Sequence, residues 1–592
     1  MWKRIGRSVA VILALSVAGF VAVGANTHLA TPRQTTAPSL SLRQRAQLIL
    51  DTRASLLSNA TRIALGMAAR GDRTLSPGLP TRQDTVAAAR PRPAAGTGPA
   101  SDRASSAPLP ANVRVNNPAE DSHEVDQTTQ SEPSIAVSGS HVAIGFNDSQ
   151  NALLPLVAGD NLAGYAYSDN GGASFTDAGP FPNAPGYVNL GDPSLASDAS
   201  GAMYYSNLAL STFSPSLVVV VARSTNGGHS WSAPVSVVPQ TPDFYNADKD
   251  SLTAGVGPFH SGSALYDAWD DITFAPPPPP PTPSPSPSAS LSPTPVPTAT
   301  PLDVSGGGGG GGGGGVVTGL AVSHSYDRGH TWKLVYADKL ASGGQTGCSS
   351  AQYIGADPVV DNSTGDLYLA AERVDFNDPT CGQAQPSVTF SERFFISKDG
   401  GNTFGPGIVI ATVGPVPSPF FLGDTSAMRD AEFPSMAVLN GTIYVAWNDS
   451  GTHDGSTQIR LARSTDKGGT WRTSFVSSGA GQRIQPALSA DSAGLHLLYY
   501  RINPTLTLDV VAAASLNGAN WTTEVVNTVA FPGVENNPQF DPFAAPTYMG
   551  DYIANISDGA VRYFAWGDNR DVVTNFLWPQ GRRDADVFFA RN

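Results

Sequence analysis

The residues of this chain best suited to chemistry are carboxylates and arginines that recur at fixed places in a repeat. Glu132, Asp192, Asp250, Asp357, Glu432 and Asp551 stand where short apolar strands begin, and Asp148, Asp270, Asp271, Asp449 and Asp568 stand where strands rich in Tyr and Trp end. Arg373, Arg501 and Arg570 close such second strands, while Arg429 and Arg483 come just before first strands. A carboxylate repeated at equivalent points can accept backbone amides from a neighbouring turn, which is a structural role. A ring of such oxygens could also gather around a cation, calcium by its preference for oxygen. The arginines can form salt bridges between neighbouring units, or their guanidinium forks can meet an anionic ligand through two parallel donors.

The elements that position these groups are announced by a second recurrence. A phrase of the form Ser-x-Asp-x-Gly-x-Thr-Trp is written at Ser325 to Trp332, Ser397 to Phe404 and Ser464 to Trp471. Asn170 and Asn226 replace the Asp in the copies from Ser168 to Phe175 and Ser224 to Trp231, and a shortened copy runs from Ser515 to Trp521. The phrase suits a tight turn between two strands: the Asx side chain caps amides, Gly supplies positive φ, and the terminal aromatic packs beneath. Sixty-one Gly and 49 Pro in 592 residues, with 40% hydrophobic content, agree with many turns and a large all-β core.

These phrases resemble the Asp boxes, or BNR repeats, of the sialidase (neuraminidase) superfamily, and the resemblance covers roughly residues 125 to 592. It implies a β-propeller. Counting strand starts from Glu132 to Asp551 favours about seven four-stranded blades, with the six of true sialidases as the alternative. The last unit ends one strand short at Arg591, so a strand from the stretch Val113 to Val125 is expected to complete it and remove open sheet edges. In such a blade the phrases lie on one face and the carboxylates and arginines on the other, which is the expected working surface. The resemblance further implies an exo-α-sialidase-type hydrolase or a non-catalytic glycan- or protein-binding propeller. In the hydrolase, three arginines drawn from Arg373, Arg429, Arg483, Arg501 and Arg570, with Arg429, Arg483 and Arg570 the leading set, hold the substrate carboxylate. Tyr548 or Tyr552 is the nucleophile with Glu432 as its partner, and Asp192 or Asp148 is the acid. The departure is at Ser131-Glu132-Pro133, where the family would have Arg-Ile-Pro; the nearest likeness is Arg483-Ile484-Gln485-Pro486 in another unit. No cofactor is implied.

The ends and interruptions of the repeat have their own logic. Lys3, Arg4 and Arg7 precede an apolar run from Val9 to Val23, the pattern of an export signal over residues 1–25, cleaved after Ala25 or retained as an anchor. A secreted or cell-surface protein is expected, monomeric, acting on extracellular or cell-wall glycan. Residues 26–118 carry twelve Arg against four Asp and form a basic tether, with an amphipathic helix over about 41–70 and a disordered linker beyond it. Taking this +8 and the signal's +3 from the overall −14 leaves −25 on residues 119–592, which disfavours nucleic acid as a partner of the propeller. A Pro/Ser/Thr-rich and polyglycine stretch at 275–315 reads as an exposed insertion. Cys348 and Cys381 flank the first two strands of the fourth unit, a placement that suits a disulfide in an exported protein and not a zinc site.

Overall fold

The computed structural model describes residues 111–592 except 122–127, 152–159, 215, 239–244, 259–261, 275–315, 342–349, 378–386, 417–419, 423–425, 429, 452–455, 477–480, 536–548, 560, 575, 577 and 578. The export signal, the tether up to residue 110 with its helix and linker, the 275–315 insertion, Cys348, Cys381, Arg429 and Tyr548 lie outside the described residues. No helix among the described residues is long and apolar enough to cross a membrane.

Seven antiparallel sheets of four strands follow one another along the chain. Blade 1 is Gln130–Ser138, His141–Asp148, Ala163–Ser168 and Thr176–Pro180. Blades 2 and 3 begin with the inner strands Tyr187–Ser197 and Ala247–Val256, and blades 4, 5 and 6 with Ser350–Asp361, Ser435–Leu439 and Gln482–Asp491. Blade 7 is Ala554–Asp558, Val561–Val573 and Arg582–Arg591, closed by Val113–Arg114, which pairs in register with Phe589 and Phe588. Each inner strand packs against the next, and that of blade 7 packs back on that of blade 1, so the sheets form a closed ring of seven. Both the blade count and the closing strand match the expectation from the repeat. A small sheet of Phe420–Leu422, Ser426–Met428 and Val534–Glu535 is added beside the ring.

The repeated phrase performs the structural task its residues suggest. In blade 5, Ser464 Oγ accepts from Gly468 N at 2.8 Å, and Asp466 accepts from Thr470 N at 2.8 Å and from its hydroxyl at 2.7 Å. Those donated bonds hold Asp327 and Asp466 down to about 2. The glycines of each turn let it lie on the preceding blade. A Cβ on Gly172, at φ +87°, would fall 2.1 Å from the Phe589 ring, and one on Gly468 2.2 Å from Phe394.

Second strands end in an aromatic-x-Asp pattern that builds the buried side of the other face. Trp447 Nε1 donates to Asp449 at 3.2 Å and Trp566 Nε1 to Asp568 at 2.8 Å, and both indoles are fully buried. A carboxylate so placed is satisfied by indole and amide donors, which makes burial tolerable. The insertion leaves blade 3 at Phe274 and returns at Val316, which are directly paired. In blade 4 the pairing of Ser350 with Phe376 brings together the strand ends that Cys348 and Cys381 flank.

Candidate active site

Five of the seven inner strands enter the ring with a kink in their pairing. Glu132, Asp192, Lys249 and Gln485 occupy equivalent positions two residues before regular pairing resumes, all with φ between +48° and +56°. Gly355 takes the same place in blade 4 with φ +68°. Left-handed backbone at four non-glycine residues costs about 1–3 kcal/mol each and persists because neighbouring blades bond the kink from both sides. Glu132 accepts from Asn147 Nδ2 at 2.7 Å and from Asp551 N at 2.9 Å; Asp192 N donates to Asn147 Oδ1 at 2.7 Å; Gln485 Nε2 donates to Gly550 O at 3.0 Å. One step further along, Ser134, Ser194, Asp357 and Ser435 each accept an amide of the following blade, from Leu195, Leu252, Met436 and Leu488. The carboxylates at strand beginnings thus include several amide acceptors, as expected, but they are not one equivalent set. Only Glu132 and Asp192 share a register position.

The inner strands enclose a cavity of about 250 Å³, near the low end of the ~300–1,000 Å³ usual for small-molecule sites. Tyr552 reaches across it from blade 7 to donate to Pro193 O of blade 2 at 3.1 Å. Lys249 lays its ammonium over the Tyr552 ring at 3.8 Å and near that of Phe433 at 5.9 Å. This cation is the counter-charge for the buried Asp192, Asp250, Asp267 and Asp270 and the half-buried Asp357, all pushed up by desolvation, Asp250 to about 7 and Asp357 to about 6. Ser206 Oγ lies in hydrogen-bond contact with both Asp250 and Asp267. One hydroxyl proton cannot serve two carboxylates, so this pair holds a proton of its own.

The densest group of carboxyls lies where blades 4 and 5 meet. Glu372 and Glu392 are directly opposite on adjacent strands, so their side chains share one face of the sheet. Glu432, between the cavity-lining Ala431 and Phe433, is beside both. Glu372 is 1% exposed, Glu392 0% and Glu432 5%. Burial first and the Glu432 charge second push Glu372 and Glu392 well above the usual carboxylate range, and burial raises Glu432 to about 7 against one amide donated by Val416. Neither oxygen of Glu392, and not Oε1 of Glu372, has a hydrogen-bond partner among the described residues.

The residues singled out from sequence are distributed as follows. Glu432 is in this carboxyl group. Asp192 is buried on the inner strand of blade 2 beside Glu132, and Asp148 at the end of the second strand of blade 1 is bound by Gln130, Gln150 and Asn151. Arg483 of blade 6 is 2% exposed, with Nη1 donating to Gln458 at 2.7 Å and Nε without a partner among the described residues. Arg570 of blade 7 is held by Asp568, by Asn112 and over the Phe588 ring at 4.1 Å. Arg373 is paired with Asp375 at 2.8 Å and Arg501 with Asp509 at 2.9 Å. Tyr552 is in the cavity. Glu372 and Glu392 escaped sequence reasoning, although a signal existed: the dipeptide Glu-Arg twice inside otherwise apolar strands, at Glu372-Arg373 and Glu392-Arg393. Among the described residues the ring's carboxylates do not bring three donor atoms together at metal-binding distance.

No protein-family model matches the chain, and no curated protein matches it. Among solved structures the chain is similar to a Hadza microbial sialidase, at 13% identity over 76% of this chain and 75% of that one with a TM-score of 0.35. It is also similar to the α-L-arabinofuranosidase of Fusarium graminearum, at 10% identity over 69% and 93% with a TM-score of 0.38. A third is Trypanosoma rangeli sialidase, at 10% identity over 78% and 54% with a TM-score of 0.34. At such distance the ring of seven sheets rests on this chain's own strand pairing.

Proposed function

We propose that the chain is an exported, glycan-directed propeller that hydrolyses a terminal sugar, with Glu432 as its central acid–base group. The observation that carries this reading is the trio of buried glutamates across blades 4 and 5. Three carboxyls in one desolvated place cannot all ionise, so near neutral pH a protonated acid stands beside an ionised neighbour. Glycoside hydrolysis needs that pairing: an acid for the leaving oxygen and a carboxylate for the oxocarbenium-like transition state. In the sialidase-type form, Arg483 joins Arg429 and Arg570 on the substrate carboxylate, Tyr548 attacks with Glu432 behind it, and Asp192 supplies the proton. Arg483 is the described arginine of this set whose partner is a neutral amide, which leaves its charge for an anion. The basic, then apolar, N-terminus supports export.

The test is release of a chromophore from aryl glycosides, sialosides included, by the full mature chain. Glu432→Gln is expected to lower kcat by about 10²–10⁴, and the rate of the unaltered chain to rise with pH up to about 7, where Glu432 ionises and can take the tyrosine proton. Turnover unchanged in Glu432→Gln would remove the proposed role. A second reading, glycan binding without cleavage, is favoured by the Lys249 and Tyr552 pair in the cavity, since an aromatic face beside a cation suits an anionic sugar. Absence of turnover with binding abolished by Tyr552→Ala would select it.

A further inference from the structure

On the face opposite the glutamates, three metal-ligating side chains meet at one junction between blades. His141 begins the second strand of blade 1, Asp169 is the second residue of that blade's turn phrase, and His229 is the sixth residue of the phrase in blade 2. Asp169 Oδ1 lies 2.9 Å from His141 Nδ1 and 2.8 Å from His229 Nε2, and all three donor atoms are within 4.8 Å of one another. We propose that His141, Asp169 and His229 bind a single divalent transition-metal ion of the zinc type, clamping blade 1 to blade 2.

The local structure presets the three groups. Gly171 N donates to Ser140 O at 2.7 Å, tying the turn of Asp169 to the turn before His141. The His229 ring lies on Tyr167 with centroids 4.0 Å apart, and Gly228 N and Ser230 N bond to Ser224 and Asn226 to fix its turn. A Cβ on Gly227 would stand 2.5 Å from His141 Nδ1, so a glycine at φ +72° is what lets the second turn approach the first histidine. The repeat itself supplies the contrast. The second position of the phrase is Asp169, Thr225, Tyr326, Lys398, Thr465 and Leu516 in turn, so only the first copy offers a carboxylate there. His330 occupies the sixth position in blade 3, but the second position of the blade 2 phrase is Thr225, which offers no carboxylate. Two imidazoles and one carboxylate suit Zn²⁺, Co²⁺ or Ni²⁺ with ligand distances of about 2.0–2.2 Å, and side chains 40–53% exposed leave a coordination position for water. The ion would replace the two His–Asp hydrogen bonds, each neutral imidazole keeping its one N–H on the nitrogen that does not coordinate.

Titrating the untagged full chain with Co²⁺ and following visible absorption, with Zn²⁺ as competitor, tests the site. One equivalent of Co²⁺ with tetrahedral or five-coordinate bands, displaced by Zn²⁺, is expected. His229→Ala and Asp169→Asn should each weaken binding by at least about 100-fold, whereas His330→Ala should not. Circular dichroism of each variant reports whether the propeller is intact. No stoichiometric binding, or equal binding by the folded His141→Ala/His229→Ala double variant, would overturn the proposal. Glycoside turnover is independent of either result.

Discussion

At the scale of single residues, the molecule puts carboxyl groups where water is absent and satisfies most of them with donors. Asp449 shows how: it receives Gly414 N, Gly451 N, Trp447 Nε1 and Arg460 Nη1. Glu392 is the exception, buried with neither oxygen partnered among the described residues. An isosteric amide keeps its shape and removes its ionisation. Glu392→Gln is therefore expected to stabilise the fold by about 1–3 kcal/mol near pH 8, where the unfolded chain would ionise a glutamate freely. The gain should fade toward pH 5, and urea unfolding at the two pH values measures it. The converse case is Ser464, whose hydroxyl bridges Gly468 N and Asp466; Ser464→Ala is expected to lose about 1 kcal/mol.

At the scale of elements, the turns and the closing strand hold the ring. Gly172→Ala forces a Cβ into the Phe589 ring at a backbone angle that L-residues avoid, across the junction where blade 1 meets blade 7. A loss of about 2–4 kcal/mol is expected, read as a lowered thermal midpoint. Closure depends on a short segment: Val115 N bonds Val587 O at 2.9 Å, and Asn116 Nδ2 joins Gln130 of blade 1 to Asp586 of blade 7. A chain beginning at residue 119 loses Val113–Arg114 and these bonds, and bares the strand Arg582–Arg591 as an open edge. Light scattering should show it associating, while a chain beginning at residue 105 stays dispersed.

At the scale of the whole molecule, the buried carboxyls give stability a definite slope with pH. Burial raises Asp148 and Asp357 to about 6, Asp250 and Glu432 to about 7 and Asp586 to about 8. These groups hold protons in the folded chain that the unfolded chain has released, so their contribution is complete below about pH 4 and is lost as pH rises through 6 to 8. Asp327 and Asp466, lowered to about 2, act oppositely and weaken the fold only as pH falls from 4 toward 2. Calorimetry should therefore find the highest thermal midpoint near pH 4–5, with a steady decline to pH 8. A profile rising across that interval would contradict the buried, protonated state of the ring.

Architecture was legible in the sequence because a propeller repeats its local physics. Six turn phrases, each with an Asx cap, a glycine of positive φ and an aromatic beneath, and seven strand beginnings announce seven sheets without any long-range information. The missing fourth strand of the last unit was legible in the same way, and Val113–Arg114 fills it. What the residue order could not disclose is which side chains meet across blades. Glu372 and Glu392 are twenty residues apart and become neighbours only through the register of two strands. Glu432 comes beside them from the next blade. Asp357 and Asp250 looked equivalent to Glu132 along the chain, yet relative to the bulge that starts their inner strands they stand one or two residues further on. A shift of one residue turns a side chain to the opposite face of a strand. Repetition along the chain therefore determined the ring, and the inner-strand kinks, which exist only once the blades bond to one another, decided which carboxyls share a proton.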